Sequence, residues 1–382
     1  MTIATHALPV PYTDNNQLPK VLEAFERYVA KVYDDLAPAG PNGPGHYATI
    51  GIGLNIRGNQ DALRLMLDYL GVFQADNATQ EALRFQAGLP QRTQAQILAR
   101  HKTIVADFSA LIASYQLSGV AGSPGTSLSE GALQTALSAR LAFYGAPGLF
   151  EFPSSTDARL VKIRLIQGYA VGPYVIQGFQ SRLDALLGGT GIAHDTREYT
   201  ALMSLYFNGE GKTIPANSKL VTALKAGERA EAWFEIRYGS NGGASSALPG
   251  IASRRYFEAE LFGLYNDPSQ VTAAESRQVF AMLAKHRTEI LAYEAAWGVP
   301  PDGTFATRNM IGELLTGKPD LAAMATVQTL YASLVPARDV FVTWVNTQLP
   351  AGETPLIATD WNPAAIAYND PARPVPDRKS VV

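Results

Sequence analysis

The sequence predicts a protein of the α+β class, predominantly α-helical, with one small β-hairpin. Three observations carry this. Apolar residues recur at three- and four-residue spacing along most of the 382 positions. One short stretch alternates with a period of two instead, and a dense run of helix breakers stands just ahead of it. At 47% hydrophobic and 17% charged, the chain buries a large core and divides into about two or three compact units.

Taken in order, Val21, Leu22, Phe25, Val29, Val32, Tyr33 and Leu36 share a helical stripe, which predicts a first helix ending near Tyr33 to Leu36. Pro38-Ala-Gly-Pro-Asn-Gly-Pro-Gly45 then predicts an exposed loop or turn. From Thr49 to Ile56, Ile50, Ile52, Leu54 and Ile56 alternate with Thr49, Gly51, Gly53 and Asn55, predicting a strand with one apolar and one small polar face. Helical stripes follow at 58–71, 91–117, 127–144, 157–187, 195–207, 217–238, 250–265, 271–297, 303–316 and 320–348. Leu160 to Leu187 is the most apolar long segment, but Lys162, Arg164, Arg182 and Asp184 make it too polar to span a membrane. It reads as a long buried helix kinked at Pro173.

The predicted organisation is 1–57 for the first helix and hairpin, 58–194 for a helical segment, 195–265 for a second helical lobe, 266–349 for a helical extension and 350–382 for a proline-rich extended tail. Candidate boundaries are the Gly/Ser-rich stretch Gly119 to Gly131 and Tyr265-Asn-Asp-Pro268.

Several function classes are disfavoured. A net charge of -3 and a pI near 6.0 give no basic footprint for nucleic acid. There is no cysteine, so disulfides and thiolate metal sites are excluded. Histidines 6, 46, 101, 194 and 286 form no ligand spacing, so no metal or other cofactor is implied. Gly209-Glu-Gly-Lys212-Thr213 lacks the first glycine of a phosphate loop, and Gly51-Ile-Gly53 lacks the third glycine of a dinucleotide fingerprint. No basic region followed by an apolar run opens the chain, so no signal peptide is expected.

The residues with chemical promise are Glu26, Asp35 and Thr49. On a helix, Leu22, Glu26, Val29 and Tyr33 share a face, setting a carboxyl in an apolar seam where desolvation favours the protonated form that a general acid needs. Asp35 lies nine positions on, about 13 Å further along a continued helix, so it cooperates only if the helix breaks first. A return strand would then bring Thr49 beside it. An inverting glycosidase needs such a carboxyl pair about 6.5–9.5 Å apart with a water between, and Gly51 and Gly53 would let a sugar approach the backbone.

The string Glu26-x6-Tyr33-x-Asp35, followed by Tyr47-x-Thr49-Ile50-Gly51-Ile52-Gly53, resembles the phage-type lysozymes, glycoside hydrolase family 24. A second block, Ala201 to Gly209, Ser218 to Gly227, Ala232-Trp233 and Gly250 to Glu258, resembles the C-terminal lobe of that family in order and spacing. The two blocks cover roughly 18–57 and 195–265. The resemblance implies a two-lobed lysozyme-like fold with a small β-hairpin subdomain. It implies Glu26 as general acid, Asp35 as the carboxylate that orients or activates water, and Thr49 as the hydroxyl that positions it. It implies hydrolysis of the β-1,4 bond between N-acetylmuramic acid and N-acetylglucosamine in peptidoglycan glycan strands.

Tyr33, Gly51, Gly53, Asn208, Arg254 and Arg255 take the substrate-contact positions. A packing reading stands beside that for three residue sets: Trp233 as core, Arg254 and Arg255 as ion-pair partners of Glu258, and Asn208 as a helix C-cap. The chain departs from the family in a longer loop between Asp35 and Thr49, in the long segment 58–194 and in the extension 266–382. Those parts would bind wall polymer, dock to delivery machinery or meet an inhibitor or immunity protein, and the sequence does not choose among them. The mild negative charge and the lack of a leader imply delivery to the cell wall by another route. The alternatives are a non-catalytic wall-binding module on the same fold, or a transglycosylase or chitinase on a related one.

Overall fold

The computed structural model describes residues 3–7, 17–40, 43–76, 78–115, 130–209, 214–242, 249–298, 309–318, 321, 324–355 and 357. Most described residues are helical, and the strands form a three-stranded antiparallel sheet and a separate hairpin. The fold is thus α+β and predominantly α. The chain divides into two compact units, Pro19–Arg182 and the pair Met1–Leu18 with Leu183–Val382. No described helix is long and apolar enough to cross a membrane.

The unit Pro19–Arg182 begins within helix α1 (Gln17–Glu26). This helix ends at Glu26, not near Tyr33 to Leu36. Arg27 takes a left-handed φ of 60°, and its N–H bonds back to Glu23 O at 2.8 Å. Strand β1 (Val29–Gly40) follows at once. The physical reason lies in the same residues that suggested a helix. Val29, Lys31 and Tyr33 also alternate with Ala30, Val32 and Asp34, and β-branched and aromatic side chains favour the pleated form when a partner strand is present. Val32 is buried and Lys31 exposed.

The partner is β2 (Gly43–Gly51), antiparallel to β1, with Tyr33 opposite Thr49 and Asp35 opposite Tyr47. Most of Pro38 to Gly45 is therefore strand and not loop, with only Pro41 and Asn42 outside the described residues. The predicted exposure of that run also falls outside what is described. The register shifts between Leu36 and Ala39, around Pro38, which has no N–H for the ladder.

The predicted strand Thr49 to Ile56 is likewise divided. It turns at Ile52-Gly53 and returns as β3 (Leu54–Asn55), giving the order β1-β2-β3.

The rest of this unit is helical: α2 (Gln60–Tyr69), α3 (Ala78–Gln86), α4 (Gln94–Ser114), α5 (Glu130–Phe143) and α6 (Ser155–Gln167). Helix α2 packs on α4 and α6, α5 packs on α4 and β1, and α6 packs on β2. Asn59, Thr93 and Ser154 cap the amino ends of α2, α4 and α6. Val21, Leu22, Ile50, Leu54, Leu65, Phe108 and Phe152 are buried in the core.

The predicted long helix at 157–187 is two helices, α6 and α7 (Phe179–Leu187), separated by a hairpin of β4 (Tyr169–Val171) and β5 (Tyr174–Ile176). Pro173 therefore sits in a turn and kinks nothing. Val171 pairs with Tyr174 across Gly172-Pro173, and Gly172 has the positive φ, 55°, that a two-residue hairpin turn demands of its first central residue. Residues 116–129, which hold most of the Gly119 to Gly131 boundary, lie outside the described residues.

The other unit contains α8 (Arg197–Asn208), α9 (Lys219–Ala226), α10 (Arg229–Arg237), α11 (Pro249–Phe262), α12 (Ala273–Trp297), α13 (Met310–Gly317) and α14 (Leu330–Gln348). The stripe at 217–238 is thus two helices, parted at Gly227. Helix α11 packs on α8, α10 and α13, and α12 packs on α10 and α14. Trp233 is fully buried, as the packing reading expects. Tyr265-Asn-Asp-Pro268 lies inside this unit, with Tyr265 buried and its hydroxyl donating to Ser333 O at 2.7 Å. Of the tail beyond 349, only 350–355 and 357 are described.

A charged network crosses this core. Arg237, fully buried, donates to Glu260 at 2.7 Å and lies 3.5 Å from Glu294, which accepts from Tyr238 at 2.7 Å. Burial pushes the Glu260 carboxyl up to about 7, with repulsion from Glu294 adding to it against the pull of Arg237 and Ser333. The folded carboxyl holds its proton more tightly than the unfolded one. Its contribution to stability is therefore full below about pH 4 and is lost as pH rises through about 7. Glu260→Gln should flatten that part of the stability curve; denaturant midpoints between pH 4 and 8 that fall equally in both proteins would refute it.

Candidate active site at the end of the first helix

Glu26 is the last residue of α1, and its neighbours come from two directions. Glu23 and Glu26 stand three residues apart on α1, as Arg159 and Lys162 do on α6, and the helices meet through both pairs. Arg159 Nε donates to Glu23 at 2.6 Å, and Lys162 Nζ donates to Glu26 Oε2 at 3.0 Å. Lys162 is fully buried, and the Glu26 side chain is 18% exposed. The same ammonium donates to Ile52 O at 2.6 Å and Gly53 O at 3.3 Å, so it ties the carboxylate to the β2–β3 turn.

Glu26 therefore does not sit in an apolar seam. That seam required the helix to run through Val29 and Tyr33, and both are on a strand. The environment is an ion pair against a turn, in a side chain that is 18% exposed. A buried cation needs its charge and its three donors matched, and Glu26 with the two carbonyls does this for Lys162.

Gly53 explains the close approach. Its φ is 58°, and a Cβ placed there would lie 1.8 Å from Glu26 Oε2. Only glycine fits both the left-handed turn and the carboxylate beside it. Gly51 does something different from the sugar contact expected of it. It is buried, and a Cβ on it would fall 2.7 Å from the Phe152 ring. Phe152 is pinned to β1 by its N–H donating to Ala30 O at 3.0 Å, while Tyr28 donates to Phe152 O at 2.8 Å. The space above Gly51 belongs to an aromatic ring, which excludes a ligand.

Thr49 is 1% exposed, in the central strand between Tyr33 on β1 and Asn55 on β3. At that burial it presents no open hydroxyl to solvent. Tyr33 is half-buried. Asp35 lies two residues beyond Tyr33 in register, diagonal to Thr49 across the ladder; its side chain is outside the described set. His46 pairs with Leu36 in the same ladder, and its side chain is also outside that set. The helix break and return strand that Asp35 needed are thus both present, placed earlier than the sequence suggested.

Asn208, Arg254 and Arg255 belong to the other unit, in a buried cluster between α8 and α11. Glu258 is fully buried. It accepts from Arg254 at 3.0 Å and from Ser204 at 2.6 Å, and it pairs with Arg255. Arg255 also donates to Asn208 at 2.6 Å. Arg254 and Arg255 are 3% and 1% exposed, so both guanidinium groups are spent on packing two helices and neither faces solvent. The ion-pair reading describes them, and the substrate-contact reading does not.

Sequence reasoning missed Lys162. It stood in view as a cation interrupting an apolar helix, and its three-residue spacing from Arg159 mirrors Glu23 and Glu26, but nothing in one sequence pairs two helices. Among the described residues, no group of three His, Asp or Glu side chains could hold a metal ion. No family model, no curated protein and no solved structure matches the chain.

One consequence of the turn is testable directly. Gly53→Ala should displace the Glu26 carboxylate and lower stability by about 1–3 kcal/mol, from backbone strain and the lost ion-pair geometry. Urea unfolding of the variant measures it, and an unchanged midpoint would show that the turn tolerates a side chain.

Proposed function

We propose that the protein is a glycoside hydrolase, with Glu26 as the proton donor and Asp35 as the second carboxylate. The observation that carries this reading is the docking of the helix-terminal Glu26 on the glycine turn of the same hairpin that bears Asp35 and Thr49. A side chain that is 18% exposed at a helix end can meet a glycosidic oxygen brought to it. The ammonium 3.0 Å away favours the ionised form, so Glu26 must first take up a proton from water; once it gives that proton to the leaving oxygen, the carboxylate that forms is matched by a fixed cation. Lys162 touches no substrate in this scheme and acts through Glu26. Asp35 would orient or activate the water.

Within that class, the particular activity we propose is that of a muramidase, cutting the β-1,4 bond between N-acetylmuramic acid and N-acetylglucosamine. The support is the run from Glu26 to Gly53, which is similar to the phage-type lysozymes in residue types and order. The lysozyme-like two-lobed fold is part of the same proposal, as is action on the cell wall after delivery by another route.

Clearing of a purified peptidoglycan suspension, with release of reducing ends, tests the activity. Products bearing anhydromuramic acid would assign a transglycosylase instead, and cleavage of chitin alone would assign a chitinase. The burial of Thr49 favours one further reading, a wall-binding module without catalysis; sedimentation with peptidoglycan and no release of reducing ends would select it.

A further inference from the structure

The unit that holds α8 to α14 contains a cavity of about 400 Å³ between the end of α11 and the amino-terminal half of α14, within the size range of small-molecule sites. Leu264 and Pro336 supply apolar wall. A carboxyl shares that wall. Glu260 lines the cavity, and its side chain is buried except for 11% of its surface.

The internal bonds of Glu260 fall on one oxygen. Arg237 donates to Oε1 at 2.7 Å, and Ser333 Oγ donates to the same atom at 3.4 Å. Oε2 takes no bond from the protein, yet it is not sealed off in the interior, so it is the edge of the carboxyl that opens on the cavity. A carboxylate oxygen accepts about two hydrogen bonds, so Oε2 has room for a donor from outside. Arg237 also lies 3.5 Å from Glu294 and divides its charge between the two carboxylates, which leaves Glu260 only partly matched.

The carboxyl edge and the apolar wall lie close together. Ser333 bonds to Glu260, and the Tyr265 hydroxyl donates to Ser333 O at 2.7 Å while accepting from Ala337 N at 3.3 Å, beside Pro336. Leu264 follows Glu260 by four residues.

Around Glu260 stand Arg237 from α10, Glu294 from α12, Ser333 from α14 and Tyr265 from the segment after α11. Three further charged groups line the cavity. His6 is bonded to Glu198 at 2.7 Å, and Arg197 and Asp267 carry opposite charges, so together they set no sign. Glu260 therefore decides which charge the cavity prefers. Among the described residues no three His, Asp or Glu side chains could hold a metal ion, so a bare metal would lack ligands there.

We propose that this cavity binds an organic monocation, a primary ammonium on a small apolar body, the ammonium donating to Glu260 Oε2 and the body lying against Leu264 and Pro336. The site stands whether or not the protein cleaves glycans. Burial holds the Glu260 carboxyl up at about 7, so an arriving cation replaces a proton there.

Titration calorimetry of the full chain with isoamylamine, isoamyl alcohol and isovalerate tests it, because the three share one branched body and differ in charge. The amine should bind, and the alcohol and the anion should bind about tenfold or more weakly. Only the ionised carboxyl takes the cation, and the amine stays charged throughout, so its affinity should be about tenfold or more weaker at pH 5 than at pH 8. Glu260→Gln should weaken the amine by about tenfold, remove the pH dependence and leave the alcohol unchanged. His6→Gln, in a side chain that is 38% exposed, should keep the pH dependence; it keeps the test alive if Glu260→Gln fails to fold. Absence of amine binding at millimolar concentration overturns the proposal. So does tighter binding of isovalerate, which would give the cavity to Arg197, or a pH dependence that survives Glu260→Gln or vanishes in His6→Gln.

Discussion

Glu26→Gln should leave the protein folded and cut the release of reducing ends from peptidoglycan by about a hundredfold to ten-thousandfold, the usual worth of a positioned proton donor. Glutamine keeps the size of the side chain and an oxygen for Lys162 Nζ, which holds the turn at Gly53, but it removes the charge opposite a buried ammonium, so the urea midpoint should fall while the fold is kept. It has no proton of suitable acidity to give. Circular dichroism and the urea midpoint check the fold, and reducing-end release checks the chemistry. Lysis that survives the change removes Glu26 from the mechanism and, with it, the muramidase proposal. Asp35→Asn should be nearly as damaging, because the second carboxylate has no substitute two residues from Tyr33 in the same strand.

Lys162→Met should have the largest effect on stability, a loss of about 3 kcal/mol measured by denaturant unfolding. Methionine fills much of the same buried space but supplies no donor. Glu26 Oε2, Ile52 O and Gly53 O would each lose a partner at once. Because the Glu26 side chain is 18% exposed, water can rescue part of its charge, which places the loss at the lower end of what breaking a buried pair costs. The double variant Glu26→Gln with Lys162→Met should recover part of the loss, since no carboxylate is then left without its cation. A Lys162→Met protein as stable as the wild type would mean that the ammonium organises nothing.

Much of the helical content was legible in the sequence because a buried helix face writes itself as a three- and four-residue stripe. Helices α2, α4, α5 and α12 fall within the stripes that predicted them. The failures share a cause. Val29 to Leu36 and Leu160 to Leu187 each fit a helical stripe over part of their length, and in each the deciding influence is a partner strand that local spacing does not reveal: β2 for Val29 to Gly40, and β5 across Gly172-Pro173 for Tyr169 to Val171.

At the site, the residue types and the need for a helix break before Asp35 were visible. The surroundings of Glu26 were not, because Lys162 comes from a helix 136 residues away. The arginines show the converse. Arg254 and Arg255 read as ligand contacts through the resemblance of their block to the lysozyme lobe, whereas both pair with Glu258, within one turn, in the interior.

The division of the chain also sets an order of events at the ribosome. Pro19–Arg182 is one continuous stretch and is complete as soon as it has emerged, whereas Met1–Leu18 belongs with residues that follow Leu183. The bridge between Ala7 and Thr196, and the bond from His6 to Glu198, join the ends of that wait. At about 5–20 residues per second, the first residues spend on the order of 10–40 s without their partners. During synthesis, the hairpin bearing Asp35 and Thr49 is therefore among the first parts able to fold, and the amino-terminal strap among the last to find its place.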